Sequence, residues 1–374
     1  MEKLCDDITS EILIWLPAKN IAQLRCVCKR WNTLSREANF IKSHLRRWIN
    51  NNDKDEILLV YNRGSPLKAH SSASPDIELI NFIKFPVNFP SEKAQTKYIN
   101  VIGSANGLIC FSVRYYNDPV IHIWNPSLSA LLTVPPYAIS IPPHCPNAEY
   151  YFWFGFDPKN DDYKIVKFIR VRHSNHSVEW LQVEVYSMRS GCWKLITQSP
   201  PSRVTYFYSD AQVYVGGHDG HLHWRGFNDD LKIQTIVAFD LAAESFSEIS
   251  LPDPINLDHD RLKLGVFGGK LCVISLVRGD CDCEVWVMDQ YGSWVKNGFS
   301  HFHKDGMYHP YGFTLKNKFL YYEFCNEVIH LYDPAAPFNK VKPFQKNMVT
   351  KRYASDYRII PYVESLVWVT PPTC

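Results

Sequence analysis

The sequence predicts two unlike parts, a helical module over residues 1–48 and an all-β ring over 49–374. The ring is read as a β-propeller of about six or seven blades. Three observations predict this: a helical apolar period that ends near residue 50, short alternating runs from residue 56 onward, and a degenerate repeat within those runs. Aromatic content supports the β assignment, since Phe, Trp and Tyr make up 14% of the chain and suit pleated sheets.

In the first part Ile8, Ile12 and Leu16 recur at spacing four, with Leu4 and Leu13 beside them. That stripe predicts a first helix, opened by the cap candidates Asp6 and Asp7 and closed by Pro17. Asn20 is placed to cap a second helix carrying Leu24, Val27, Trp31 and Leu34 at spacings of 3, 4 and 3. Phe40, Ile41 and Leu45 predict a last short helix. A module of roughly 45 residues is near the lower limit for a self-sufficient core. Its two apolar stripes exceed what such short helices can cover on each other, which predicts a protein partner. The alternative is a helical cap resting on its own downstream domain. Nine Lys and Arg against five Asp and Glu in residues 1–50 favour an acidic partner surface.

From residue 56 the runs Glu56–Tyr61, Gly107–Phe111, Val120–Trp124, Tyr163–Phe168, Val183–Tyr186 and Val213–Val215 read as strands. Ile236–Phe239, Leu271–Leu276, Glu284–Val287, Phe319–Phe324 and Val328–Tyr332 continue the series, with Asn-Pro, Asp-Pro, Asp-Gly and Gly-Gly turn signals between them. The repeat is a strand ending in an apolar residue and then Asn, Asp or Ser, with a bulky apolar residue soon after. Its instances are Trp124-Asn125…Leu131, Tyr186-Ser187…Trp193, Phe239-Asp240…Phe246, Met288-Asp289…Trp294 and Tyr332-Asp333…Phe338, a mean period of 208/4 = 52 residues. Upstream, Leu108, Leu222 and Leu271 precede Trp124, Phe239 and Val287 by 16, 17 and 16 residues, the trace of a repeated hairpin with variable outer loops. The period suits propeller blades, because one blade cannot cover its own faces and the ring must close. Tyr357–Val369 is placed to complete a blade begun by Glu56–Tyr61. A two-sheet sandwich is the alternative.

Several function classes fall away. The net charge of +2 argues against a globally basic nucleic-acid binder, and no stretch approaches the ~18 apolar residues of a membrane span. Eleven scattered cysteines suit reduced thiols in the cytosol or nucleus better than a secreted disulfide scaffold. Cys26 and Cys28, if helical, point about 200° apart and cannot share an ion. Cys281 and Cys283, and the pairs His221/His223 and His301/His303, read as ordinary turn and strand residues, so no metal or cofactor is expected. Gly268-Gly269-Lys270 lacks phosphate-loop spacing, and no hydrolase motif is present. A propeller-type sugar-binding or hydrolase protein is thus the weaker alternative.

The N-terminal residues resemble an F-box. Asp7 to Lys19 is similar to the pattern D-x-x-x-E-I-L-x-x-L-P-x-K, and Leu24 to Leu34 carries the plant-type R-C-V-C-K-x-W half. Phe40, His44 and Leu45 match its F-x-x-x-H-L ending, while Cys5 and Ala38 stand where the pattern often has Pro. The remainder resembles the plant F-box-associated, kelch-like domain. It does so through Gly103–Cys110, Ile123–Ser127, Phe154–Asp157, Asp161–Val166, Val183–Ser187 and Gly220–Trp224. The closing Pro361–Val367 is similar to S-locus and S-haplotype-specific F-box relatives.

The resemblance implies a non-catalytic substrate receptor of an SCF (Skp–cullin–F-box) ubiquitin ligase. The helices would dock on a Skp-type adaptor, and through it a cullin, using Leu4, Ile8, Ile12, Leu16, Pro17, Leu24, Val27, Cys28, Trp31 and Leu34. The ring would present an unidentified target protein, an S-ribonuclease or an immune receptor by resemblance, for ubiquitination and degradation. Loop residues such as Tyr115–Asp118, His173–Ser177 and Leu257–Asp260 are candidates for that contact. An F-box scaffold acting outside the ligase is the other reading.

Overall fold

Four helices come first: α1 (Asp6–Leu13), α2 (Ala18–Leu24), α3 (Lys29–Leu34) and α4 (Ala38–Asn50). In this computed structural model the structure describes residues 6–50, 55–62, 67–80, 83, 86, 98–114, 119–141, 147–174, 177–208, 213–215, 220–228, 233–253, 255, 262–276, 283–289, 292–297, 308–323, 328–334, 342–343 and 357–369.

Three helical expectations need correction. Pro17, at φ −53° and ψ 145°, occupies the N-cap of α2, so Asn20 lies inside that helix instead of capping it. The missing cap acceptor comes from the far end of the chain, where Glu364 Oε2 accepts from Ala18 N at 2.6 Å. The run Leu24–Leu34 is not one helix. Cys28 is extended (φ −157°, ψ 158°) and caps α3, its Sγ accepting from Trp31 N at 3.5 Å. Cys26 and Cys28 therefore sit exposed around a turn, and the helical geometry used to separate them does not apply. The last helix, at 13 residues, is the longest of the four.

The remaining described residues build six antiparallel sheets, which makes the ring one of six blades. Blade 1 contains the strands Tyr98–Ala105, Leu108–Arg114, Val120–Asn125 and Ala130–Thr133, running from the inside outward. Blades 2 (148–196), 3 (206–249), 4 (262–297) and 5 (308–343) repeat that order. In blade 3 the innermost strand is split into Tyr206–Phe207 and Val213–Val215, both paired with His221–Asn228. Blade 6 joins both ends of the chain: Ile57–Asn62 pairs with Lys68–Ser71 on one side and Tyr357–Tyr362 on the other, Ile57 opposite Tyr362. The predicted closing run is thus a strand only as far as Tyr362.

The sequence repeat is the outer hairpin of each blade. Trp124 faces Leu131, Tyr186 faces Trp193, Phe239 faces Phe246 and Met288 faces Trp294 across the strand pair; Phe338, of the fifth instance, lies outside the described residues. The polar residue that follows each strand closes the turn. Asn125 Oδ1 accepts from the backbone of Ser127 and Leu128, Asp240 Oδ1 from Ala242 and Ala243, and Asp289 Oδ1 from Ser293.

Burial explains why the strands read as apolar runs. One apolar cluster lies between each pair of adjacent blades around the whole ring. Within Ile57–Asn62, Leu58 and Val60 pack against blade 5 while Leu59 and Tyr61 pack against blade 1. Both faces of a blade are covered only when the ring is closed.

Past Tyr362 the chain crosses the ring as a strap, Val363–Val369. Asn125, fully buried, holds it by donating from Nδ2 to Ser365 O at 3.0 Å and Val367 O at 2.7 Å. Gly107, at φ +81°, underlies the strap, and any Cβ there would fall on the Val363 carbonyl. Asn125→Ala strands two carbonyls and removes the turn cap, and is expected to lower unfolding free energy by about 3 kcal/mol. Chemical denaturation measures this, and a change under about 1 kcal/mol would contradict the assigned role.

His223, on the second strand of blade 3, is buried beside His221, and burial drops its pKa to about 3. Burial also lowers His70 and His122. An unfolded chain protonates such a histidine near pH 6.5 while the folded one does not, so stability falls as pH drops below that value. For His223 the loss by pH 5 is about 2 kcal/mol. Thermal melts at pH 7 and pH 5 should show this fall in midpoint, and His223→Asn should flatten it. Equal slopes in both proteins would refute the assignment.

Candidate docking surface

The helices pack as a small core of Leu13, Ala18, Ile21, Leu34 and Phe40. Leu366 of the strap is buried in the same cluster, and Leu128 of blade 1 packs against it. Lys42 of α4 meets Asp161 of blade 2 at 2.9 Å. The helices therefore rest on the ring face that carries the turns after the first and third strands. One side of the module is a cap on its own downstream domain, as the alternative reading expects, and another side exposes large apolar side chains.

That exposed side is the outer face of α1 and the turn after it. Thr9 and Leu13 point inward and are buried, whereas Ile8, Ile12 and Trp15 are 52%, 55% and 58% exposed. Positions 8, 12 and 15 follow at helical spacing and fall on one side. They line an open groove together with Asp7, Glu11 and Leu16. The Arg47 guanidinium, from the last turn of α4, lies over the Trp15 ring and holds it in place.

The predicted docking residues are thus dispersed. Ile8, Ile12 and Leu16 share the groove, Leu16 being half-buried. Val27, 62% exposed, and Cys28 stand on the turn between α2 and α3. Pro17 is half-buried at the start of α2. Leu24 and Trp31 pack partly against the helical core, and Leu34 is buried within it. Leu4 lies outside the described residues, as does Cys5. Trp15 was missed, although it completes the i, i+4, i+7 series begun by Ile8 and Ile12.

On the ring, Tyr115–Asp118, Leu257–Asp260 and residues 175–176 lie outside the described residues. Leu108–Arg114 starts at the helix-bearing face and runs away from it, which puts Arg114 toward the opposite face. His173 contacts Glu179 at 2.9 Å. His221 sits 3.6 Å from Asp240, and Cys281, His301 and His303 are outside the described residues. Among the described residues no group of three His, Cys, Asp or Glu side chains could hold a metal ion. Burial pushes the Cys110 and Cys272 thiols up, as fits core positions.

Residues 56–335 match the family described as the F-box associated beta propeller domain, and residues 1–43 match the F-box domain. The chain belongs to this F-box family. The F-box/kelch-repeat protein At3g23880 of Arabidopsis thaliana is 26% identical over 78% of this chain and 77% of its own length. F-box protein CPR1 of the same plant is 28% identical over 78% and 71%. Among solved structures, the β-propeller domain of the Trilobed protease from Pyrococcus furiosus aligns with 67% of this chain and 72% of its own, at 15% identity and a TM-score of 0.37. F-box domains generally bind Skp1-type adaptors, and F-box propeller proteins are typically SCF substrate receptors.

Proposed function

We propose that this F-box protein is a non-catalytic substrate receptor of an SCF ubiquitin ligase, working in the cytosol or nucleus. The F-box helices engage a Skp1-type adaptor and through it a cullin, while the ring holds a target protein for ubiquitination and proteasomal degradation. The observation that carries this reading is the outward stripe Ile8, Ile12 and Trp15, three large apolar side chains on one side of α1 and the turn after it that stay more than half exposed. Such anchors suit a protein interface, where a few aliphatic and aromatic side chains dominate the binding energy. The receptor's contribution is proximity: holding an acceptor lysine near the ubiquitin thioester raises its effective concentration with no bond chemistry on this chain.

The test is a titration of the full chain with a recombinant Skp1-type adaptor, followed by addition of cullin. A stable complex that recruits cullin is expected, and failure to bind the adaptor would overturn the proposal. Capture of the full chain from cells with the proteasome inhibited should then enrich the target. A partner whose abundance ignores proteasome inhibition would mark a scaffold instead.

A further inference from the structure

The strap Val363–Val369 alternates its contacts with a period of two. On one side, Glu364 Oε2 accepts from Ala18 N at 2.6 Å, Leu366 is buried in the helical core, and the Arg25 guanidinium lies 5.8 Å from the centre of the Trp368 ring. On the other side, Ser365 N donates to Ser127 Oγ at 3.1 Å and the Ser365 and Val367 carbonyls accept from Asn125. Val367 and Val369 pack into the apolar cluster between blades 1 and 2. An extended segment sends successive side chains to opposite sides, so even-numbered residues reach the helices while odd-numbered residues reach the ring. Tyr362, the last residue of the closing strand, joins the ring side through its hydroxyl, 2.6 Å from Ser127 Oγ.

Two domains in one chain move relative to each other by default unless a tight apolar contact prevents it. The surface pair Lys42–Asp161, with both side chains 46% exposed, is too solvated to supply that restraint. Leu366, beside Leu128 of blade 1, supplies it, since it is buried in the core of the helical module while its neighbours are fixed to the ring.

We propose that the strap is a positioning device that locks the helical module in one orientation on the ring, with Glu364, Leu366 and Trp368 as its positioning residues. An adaptor on α1 and a target on the ring are then held at a fixed separation. The strap runs on directly from Tyr357–Tyr362, the strand that closes blade 6, so ring closure and module orientation are coupled through adjacent residues.

The test measures orientation without any partner, which keeps it separate from adaptor binding. Spin labels on unnatural amino acids at the exposed positions Asn39 of α4 and Val295 of blade 4 report the distance distribution in the full chain. A single narrow distribution is expected in the unsubstituted protein, broadening at least about twofold in Leu366→Ala and in the combined Glu364→Ala, Trp368→Ala variant. The combined variant keeps the buried leucine, so it remains folded and informative if Leu366→Ala does not. Near-ultraviolet circular dichroism should show the ring intact in both. A broad distribution in the unsubstituted protein, or an unchanged one in the folded variants, would overturn the proposal. Adaptor affinity is read in parallel. If it is retained while the distance broadens, the strap governs orientation alone; if no variant binds adaptor but the distances behave as expected, the receptor reading fails and the strap stands.

Discussion

Trp15→Ala in the full chain is expected to weaken adaptor binding about 30-fold, the equivalent of roughly 2 kcal/mol for an anchoring aromatic side chain. Ile12→Asp should go further, because adaptor binding would bury an unpaired carboxylate against apolar surface. Neither change should move the thermal midpoint by much, since both side chains are more than half exposed in the free protein. Leu34→Ala is the informative contrast. Leu34 is 8% exposed within the helical core, so it should lose about 2–4 kcal/mol of stability, and any loss of binding would follow from unfolding of the helices. Isothermal titration beside thermal melts separates the cases. If Trp15→Ala and Ile12→Asp bound adaptor like the unsubstituted chain, the stripe would be an incidental surface.

Lys167→Met is expected to cost about 3–5 kcal/mol, because it leaves a buried carboxylate without its cation. Lys167 and Glu184 lie opposite each other on neighbouring strands of blade 2, with side chains 0% and 1% exposed. The Lys167 ammonium donates to Glu184 and to the Ile139 carbonyl, and lies 4.3 Å from the centre of the Tyr137 ring. Glu184 accepts from Ala138 N at 2.7 Å and Ile139 N at 3.2 Å. The pair thus fastens the connection leaving blade 1 to the middle of blade 2. Replacing both residues, Lys167→Met with Glu184→Gln, should recover part of the loss, as both buried charges are then gone. Denaturant titration of the three proteins measures the coupling, and a single variant as stable as the unsubstituted chain would rule out the network.

Periodicity made the ring legible in the sequence because each blade repeats one outer hairpin. The spacing from Phe239 to Phe246, or from Tyr186 to Trp193, is the distance between cross-strand neighbours around a short turn. A repeat of local origin survives in sequence even where its residue types drift. The helix boundaries were harder. The break at Cys28 depends on its extended backbone and a thiol cap, and the start of α2 depends on Glu364, which lies 346 residues away from Ala18. No local window contains that carboxylate. The docking surface was half readable for the same reason. Spacing identifies an apolar stripe, yet which members remain outside depends on Leu366 and Leu128 covering the inner side. Leu34 and Trp15 exchange roles accordingly, one sealed in and the other left facing water.

Blade 6 also bears on how the chain is made. Ile57–Asn62 can pair early with Lys68–Ser71, but its sheet is complete only when Tyr362 arrives, some 300 residues later in synthesis. Until then the emerging polypeptide displays the greasy face of blade 1, and from the synthesis of residues 308–343 onward that of blade 5, to the ribosome surface and to other nascent chains. Chaperones that mask such faces until translation ends should therefore govern how much of this protein a cell accumulates.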